Sequence, residues 1–430
     1  HALSSQDPNA VSILIFNISQ DSLLKGLRLG IRLAAMILPA IAFIAATPIH
    51  ELLEAFVGLR IPDSAKMYLT IVLRYVDILW YDIQISMKAM ALRGVNWEGG
   101  VREKIPAFSR LMLPLIFRIL DHVDGQSLAI DNRGGIKASE DIPEYSESVN
   151  AIAMKNVFVR YDEEDKPDAG HALSNINLKI PQGDSTVLLG RIGTGKSSTL
   201  LLCTGLIPKS VGRMKGDVEI FGHNTKRASL SLLGKLSRIV FPSAVQGLIG
   251  LTVEGELEFS LRSSELTPEA RQQSMGNALE VVGLDSSFLP RLTLALSGGE
   301  MQRVALASAI ISQPLLLTLD DVTVQLDPVG KREVISALQG LLGGQITTII
   351  TDPYVELLTD VGHRFISLEE GKIIGDTPVL DAATIEKASL RVPQMMRLGQ
   401  LLGIQIPMKV DEALQTLQAH LKGSPPEYSL

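Results

Sequence analysis

The sequence predicts an α-helical region with membrane character, then an α/β domain built on a mainly parallel sheet, then a small helical C-terminal extension. The prediction rests on an uncharged apolar run near the start (Leu33–Ala46), an acidic and polar stretch around residues 134–150, and short β-rich runs alternating with helical stretches beyond it. At 430 residues the chain is roughly three times the ~150-residue length expected of one domain, so two or three cores are expected. A hydrophobic fraction of 46% excludes a disordered or collagen-like chain. With 40 Lys and Arg against 47 Asp and Glu the net charge is -7, without the basic excess that recruits nucleic acid, so nucleic acid is not an expected partner. The lone cysteine, Cys203, allows no intrachain disulfide and no cysteine metal cluster, and reads as a small buried apolar side chain. The chain opens on His1 without a leader-like segment, as a fragment or a processed product would.

Taken in order, Leu33–Ala46 is shorter than the roughly 20 residues that span a bilayer, although Arg28 and Arg32 at its end can snorkel and lengthen it. It reads as a membrane helix, with a buried helix of a soluble domain as the alternative. Met67–Ile83 and Leu111–Leu120 contain Arg74, Asp77 and Asp82, or Arg118, and read as amphipathic helices suited to a membrane surface or a partner groove. Basic residues flank the first run on both sides, so the positive-inside rule sets no orientation. Two Arg-Gly pairs close helical stretches at Lys88–Gly94 and Gln126–Gly134, a pattern that ordinary helix termination also produces. The boundaries expected are 1–136 for the coupling region, 137–150 for the linker, 151–378 for the α/β domain and 379–430 for the extension. Strands are expected at Ser185–Leu189, Ser237–Phe241, Leu315–Asp320, Ile346–Thr351 and Arg364–Leu368, and short helices around Pro407.

The most specific motif is Gly190-Arg191-Ile192-Gly193-Thr194-Gly195-Lys196-Ser197, between a strand and a helical run that starts at Ser198. Its glycines let backbone N–H groups turn inward around phosphates, and the helix that follows points its positive end at them. Lys196 then neutralises the β/γ-oxygens of ATP and Ser197 ligates Mg²⁺. Leu315–Asp320 ends on Asp320 and Asp321, of which Asp320 suits the water shell of that Mg²⁺. Between these segments, Ser297, Gly298 and Gly299 open a helix whose N-terminus is a second anion-binding end.

In that order of phosphate loop, LSGG segment and metal strand, residues 151–378 resemble an ATP-binding cassette (ABC) ATPase, a P-loop NTPase fold. The resemblance implies that Tyr161 stacks on adenine, although an aromatic at a strand end is also ordinary core. It implies that Asp327 communicates across a cassette dimer, and that a second ABC ATPase subunit completes each ATP site. Three positions depart from the family. Pro242 stands after Phe241 where a glutamine contacts metal and water, with Gln246 four residues on. Asp321 replaces the longer catalytic glutamate, and Asp352 replaces the histidine that reaches the γ-phosphate. A carboxylate facing one phosphate charge at about 4 Å costs roughly 4 kcal/mol at an effective dielectric near 20. Asp321 and Asp352 are therefore the catalytic candidates of an attenuated site, with drift in a slow enzyme as the alternative.

The stretch from Ala46 to Leu79, followed by the two Arg-Gly helices, resembles the transmembrane T component of energy-coupling factor (ECF) transporters, without its early and final spans. There, paired Ala-Arg-Gly motifs dock coupling helices into the ATPases, which carries the coupling role to Arg93 and Arg133, with Leu92 and Asn132 in the Ala positions. The extension after Gly375 resembles that of ECF ATPases. Together these imply an importer subunit in the cell membrane with its ATPase on the cytoplasmic side. The implied partners are membrane lipid, a second cassette and a substrate-binding membrane subunit for a vitamin or metal ion. The alternative is a soluble ABC-type ATPase or a regulatory cassette not coupled to transport.

Overall fold

The computed structural model describes residues 11–13, 16–18, 20–46 and 123–134, isolated positions between 71 and 116, and residues 149–421 apart from 162–170, 263, 265, 343–345, 360 and 405–409. The chain divides into two compact units, His1–Leu69 and Thr70–Leu430.

In the first unit, β1 (Val11–Ile13) and β2 (Phe16–Ile18) pair antiparallel and lead into a 27-residue helix, Gln20–Ala46. Its side chains from Leu24 to Pro39 are exposed. The expected membrane run forms the second half of this helix. Among the described residues, no helix is long and apolar enough to cross a membrane. Arg28 and Arg32 lie within this continuous helix, ahead of its apolar half. The amphipathic stretches Met67–Ile83 and Leu111–Leu120 lie mostly outside the described residues, with isolated helical positions within them.

The second unit carries the α/β domain. β5 (Ser185–Leu189), β8 (Ser237–Val240), β9 (Leu316–Asp320), β10 (Thr347–Thr351), β11 (Arg364–Glu369) and β12 (Lys372–Thr377) form a six-stranded sheet in the order β12-β11-β5-β10-β9-β8, parallel except for β12. Five of these six strands coincide with the β-rich runs read from the sequence. Their continuous apolar character has a direct cause, because successive residues face two separate cores. Val187, Leu189, Leu317, Leu319 and Ile350 join the helices Val253–Leu261, Gly298–Ile310 and Pro328–Leu342. Leu188, Leu316, Ile349 and Ile366 join the helix Lys196–Cys203 and a second sheet.

That second sheet, not anticipated from the sequence, is antiparallel in the order β4-β3-β6-β7. It comprises β3 (Ile152–Arg160), β4 (Leu173–Ile180), β6 (Arg213–Ile220) and β7 (His223–Asn224). Cys203 is buried in the core beneath it, and burial pushes its thiol pKa well up. The C-terminal extension is helical at Ala382–Lys387, Gln394–Leu402 and Val410–Leu421. Leu317 is fully buried at the centre of the first core. Leu317→Ala is expected to cost about 2–5 kcal/mol in denaturant unfolding of the full chain.

Candidate functional site

The parallel sheet collects the nucleotide-site residues at one edge. β5 ends at Leu189 and opens into the phosphate loop, β9 ends on Asp320, β10 is followed by Asp352, and β8 by Phe241 and Pro242. The carboxyl ends of parallel strands are where open α/β sheets bind ligands.

The loop closes tightly. Gly190 (φ 152) has the Leu368 carbonyl 2.5 Å from where a Cβ would stand, and Gly195 (φ 100) has Leu173 Cδ2 at 2.5 Å. Neither position accommodates a side chain. Lys196 Nζ donates to the Gly190 carbonyl at 2.7 Å and the Arg191 carbonyl at 3.1 Å, which places its ammonium inside the loop. Thr194 Oγ1 donates to Arg191 O at 2.8 Å, Arg191 Nε reaches Ser389 O of the extension at 2.7 Å, and Ile192 and Gly193 form the exposed tip. Tyr161 donates its hydroxyl to Ser198 Oγ at 2.8 Å, which fixes this half-exposed ring beside the loop helix.

The Ser197 hydroxyl lies close enough to Asp320 to lower its carboxyl pKa, so the proposed magnesium pair comes together from two elements. A hydroxyl and a carboxylate are hard oxygen donors that fit Mg²⁺, which binds few protein groups and keeps waters and phosphate oxygens. Among the described residues no group of three or more His, Cys, Asp or Glu forms a metal cage. When bound, Mg²⁺ would neutralise charge on the phosphates. Burial pushes the Asp320 carboxyl up, and Asp321 adds to this against hydrogen bonds from Ser197 and Thr351. Thr351 Oγ1 stands 3.0 Å from Asp320 Oδ1 and 2.9 Å from Asp321 Oδ1, one hydroxyl hydrogen serving either carboxylate.

Asp352 is turned inward. It is 3% exposed and accepts from Thr323 Oγ1 at 2.7 Å, Thr323 N at 3.3 Å and Tyr354 N at 2.9 Å. Burial raises its pKa. Asp352 thus braces the loop after Asp321 through its bonds to Thr323. Gln246 likewise lies against Gly125, 2.9 Å from a Cβ built there.

Ser297 caps the helix Gly298–Ile310 in a capping box with Glu300, Ser297 N donating to Glu300 Oε2 at 2.7 Å and Glu300 N to Ser297 Oγ at 3.3 Å. Gly299 packs near Gly330, and Asp327 accepts from Gly330 N at 2.8 Å. Among the described residues no hydrogen bond joins Ser297–Gly299 to the phosphate loop of the same chain.

A second site surrounds Arg133, while Arg93 lies outside the described residues. The helix over residues 123–132 ends in a turn closed by Gly134 (φ 88). Arg133 Nη2 pairs with Glu256 and stands 3.0 Å from both Gly247 O and Ser308 Oγ, the latter on the helix that Ser297 begins, its two hydrogens shared among the three acceptors. Glu256 is fully buried. Burial would raise its pKa, but Arg133, the Gly250 and Ile249 N–H groups and Ser308 together hold it below the ordinary value. Arg262 donates to Arg133 O at 3.1 Å, and both guanidiniums lie over the Phe259 ring. Glu256 and Ser308 gave no signal in the sequence, since each is one polar residue in a helical stretch. Asn132 was visible only as a departure from alanine.

Residues 173–324 match the ABC transporter family, and residues 3–143 match the cobalt transport protein family. The energy-coupling factor transporter ATP-binding protein EcfA of Methanococcus maripaludis is 32% identical over 269 residues, covering 60% of this chain and 95% of that protein. EcfA2 of Streptococcus pneumoniae is 28% identical over 276 residues, 62% of this chain and 99% of that protein. An ABC transporter ATP-binding protein of Methanosarcina acetivorans is 30% identical over 275 residues, and the chain spans 42% of its length. Among solved structures, cbiO1 from Clostridium perfringens has a TM-score of 0.49 at 25% identity, covering 60% of this chain and 100% of that one. The chain belongs to the ABC transporter ATP-binding proteins of the energy-coupling factor type, with a T-component domain fused ahead of the cassette.

Replacing Lys196 by Ala removes a charge-assisted donor. It is expected to weaken MgATP binding in calorimetry roughly ten- to hundredfold, with the unfolding midpoint unchanged.

Proposed function

We propose that the chain is the ATP-binding and energy-coupling subunit of an importer for a small nutrient, a vitamin or a metal ion, captured by a separate substrate-binding membrane subunit. It acts at the cell membrane, in contact with lipid, with its cassette on the cytoplasmic side and a second cassette as partner. ATP and Mg²⁺ occupy the site of Gly190–Ser198, Asp320 and Tyr161, and the partner cassette completes that site across the dimer. Binding closes the cassette pair and hydrolysis releases it.

One observation carries the reading: Arg133 is bonded at once to Glu256 and to Ser308, and Ser308 lies on the helix that begins with Ser297–Gly299. A displacement of that helix on closure would be carried to the segment around Arg133 through a buried ion pair. Arg133→Ala leaves Glu256 buried and unpaired, at a cost of about 3–5 kcal/mol. In vesicles holding the full complex, Arg133→Ala is expected to abolish ATP-driven uptake while MgATP affinity stays within error. Undiminished uptake would count against the assignment and favour a cassette not coupled to transport.

The chain's own ATP site turns over slowly, and its Ser297–Gly299 segment completes a competent site on the partner. Support comes from Pro242, from the shorter Asp321, and from an Asp352 whose oxygens accept from Thr323 and Tyr354. Asp321→Asn is therefore expected to leave ATP turnover of the complex nearly unchanged, whereas Ser297→Arg should abolish it. A large loss from Asp321→Asn would instead identify a working site.

A further inference from the structure

Asn132, one residue ahead of Arg133, is 4% exposed and meets the cassette with both main chain and side chain. Its carbonyl accepts from Arg238 Nη1 at 2.6 Å, and its Oδ1 accepts from Ile239 N at 3.0 Å. Arg238 and Ile239 belong to β8, the outermost strand of the parallel sheet. The amide oxygen thus supplies the acceptor that a further strand would have given to that edge.

Arg238 is buried and has no ion-pair partner among the described residues; its Nε donates to Ser312 Oγ at 2.9 Å. Asn132 O ends one helix and Ser312 follows another, Gly298–Ile310, so the negative ends of two helices converge on this guanidinium. The approach is close. A Cβ on Gly234 would stand 2.6 Å from both Asn132 O and Gly134 N, so the helix Leu230–Leu236 admits the segment only because residue 234 is glycine.

The other Arg-Gly pair reads Leu92-Arg93-Gly94. Leucine has no acceptor, so in the position of Asn132 it would leave the Ile239 N–H buried without a partner. An unsatisfied buried donor weakens an association roughly 5- to 150-fold.

We infer that Asn132 addresses its segment to this chain's own cassette, its amide oxygen being read by the Ile239 N–H beside Arg238, and that Leu92 bars the other Arg-Gly segment from the same groove. The inference rests on the docking reading above and goes beyond it by stating which segment enters which cassette.

A disulfide reports the docking without reading ATP turnover or uptake. A Cβ on Gly125 lies 2.9 Å from Gln246 Cβ, so Gly125→Cys with Gln246→Cys can bond after a small shift. Cys203 is buried and does not compete. In membranes holding the full complex, the double variant should oxidise to an intrachain bond. A mixture of chains bearing one new cysteine each should form no interchain bond.

Asn132→Ala should slow the intrachain bond roughly 5- to 150-fold, and Asn132→Leu at least as much. Asn132→Asp, which keeps an acceptor, should restore most of the rate. Leu92→Asn, by supplying a second addressed segment, should lower the yield with Asn132 intact. MgATP affinity, expected to be unchanged throughout, reports that the cassette is folded. Interchain bonds in the mixture, or an Asn132→Ala rate equal to that of the parent, would overturn the address. An unchanged yield with Leu92→Asn would overturn the role of Leu92. Loss of coupling in Arg133→Ala is read by uptake alone, so the two readings fail separately.

Discussion

A carboxylate with no solvent exposure must find its charge partner inside the protein, and Glu256 finds it in Arg133. Neither charge is stable in that place alone, so the segment over residues 123–134 and the cassette depend on one another. The backbone N–H groups of Ile249 and Gly250 occupy the other carboxylate oxygen, and Ser308 joins the pair to the helix that starts at Ser297. A buried ion pair of this kind adds little net stability compared with an apolar pair, but it fixes position closely. Fixed position is what the relay of a movement requires.

The nucleotide end is organised by strand order. β5 stands between β11 and β10, and the loop that leaves it meets the carboxylates that end β9. Thr351, at the end of β10, stands between Asp320 and Asp321 and offers its one hydroxyl hydrogen to either, while Lys196 supplies nearby positive charge to Asp320. Asp352 continues the same logic one residue on. Buried, it is satisfied by Thr323 and Tyr354 and stabilises the turn that leads to Asp327. These side chains are therefore ordered among themselves by hydrogen bonds.

The departures from the family pattern were visible as residue types, but their consequences were not. Asp352 was visible only as a carboxylate in the place of a histidine, and its donor Thr323 lies 29 residues away in sequence. Gln246, four residues after Pro242, packs against Gly125, a contact that sequence spacing does not reveal. Glu256 looked like one more acid in the helix Val253–Leu261, and nothing in its neighbours marks it as fully buried.

By itself the sequence determined the phosphate loop, the parallel strands and the helix that Ser297 opens, because each depends on residues close in the chain: glycine spacing, runs of apolar residues and a capping box. It also placed Arg133 at a helix end before a glycine. Only the tertiary structure decided that Arg133 meets Glu256, that Asn132 completes the edge of β8, and that Asp352 is buried against Thr323 and Tyr354. Those outcomes depend on which distant groups are left buried and unpaired when the strands assemble, and local periodicity carries no record of that.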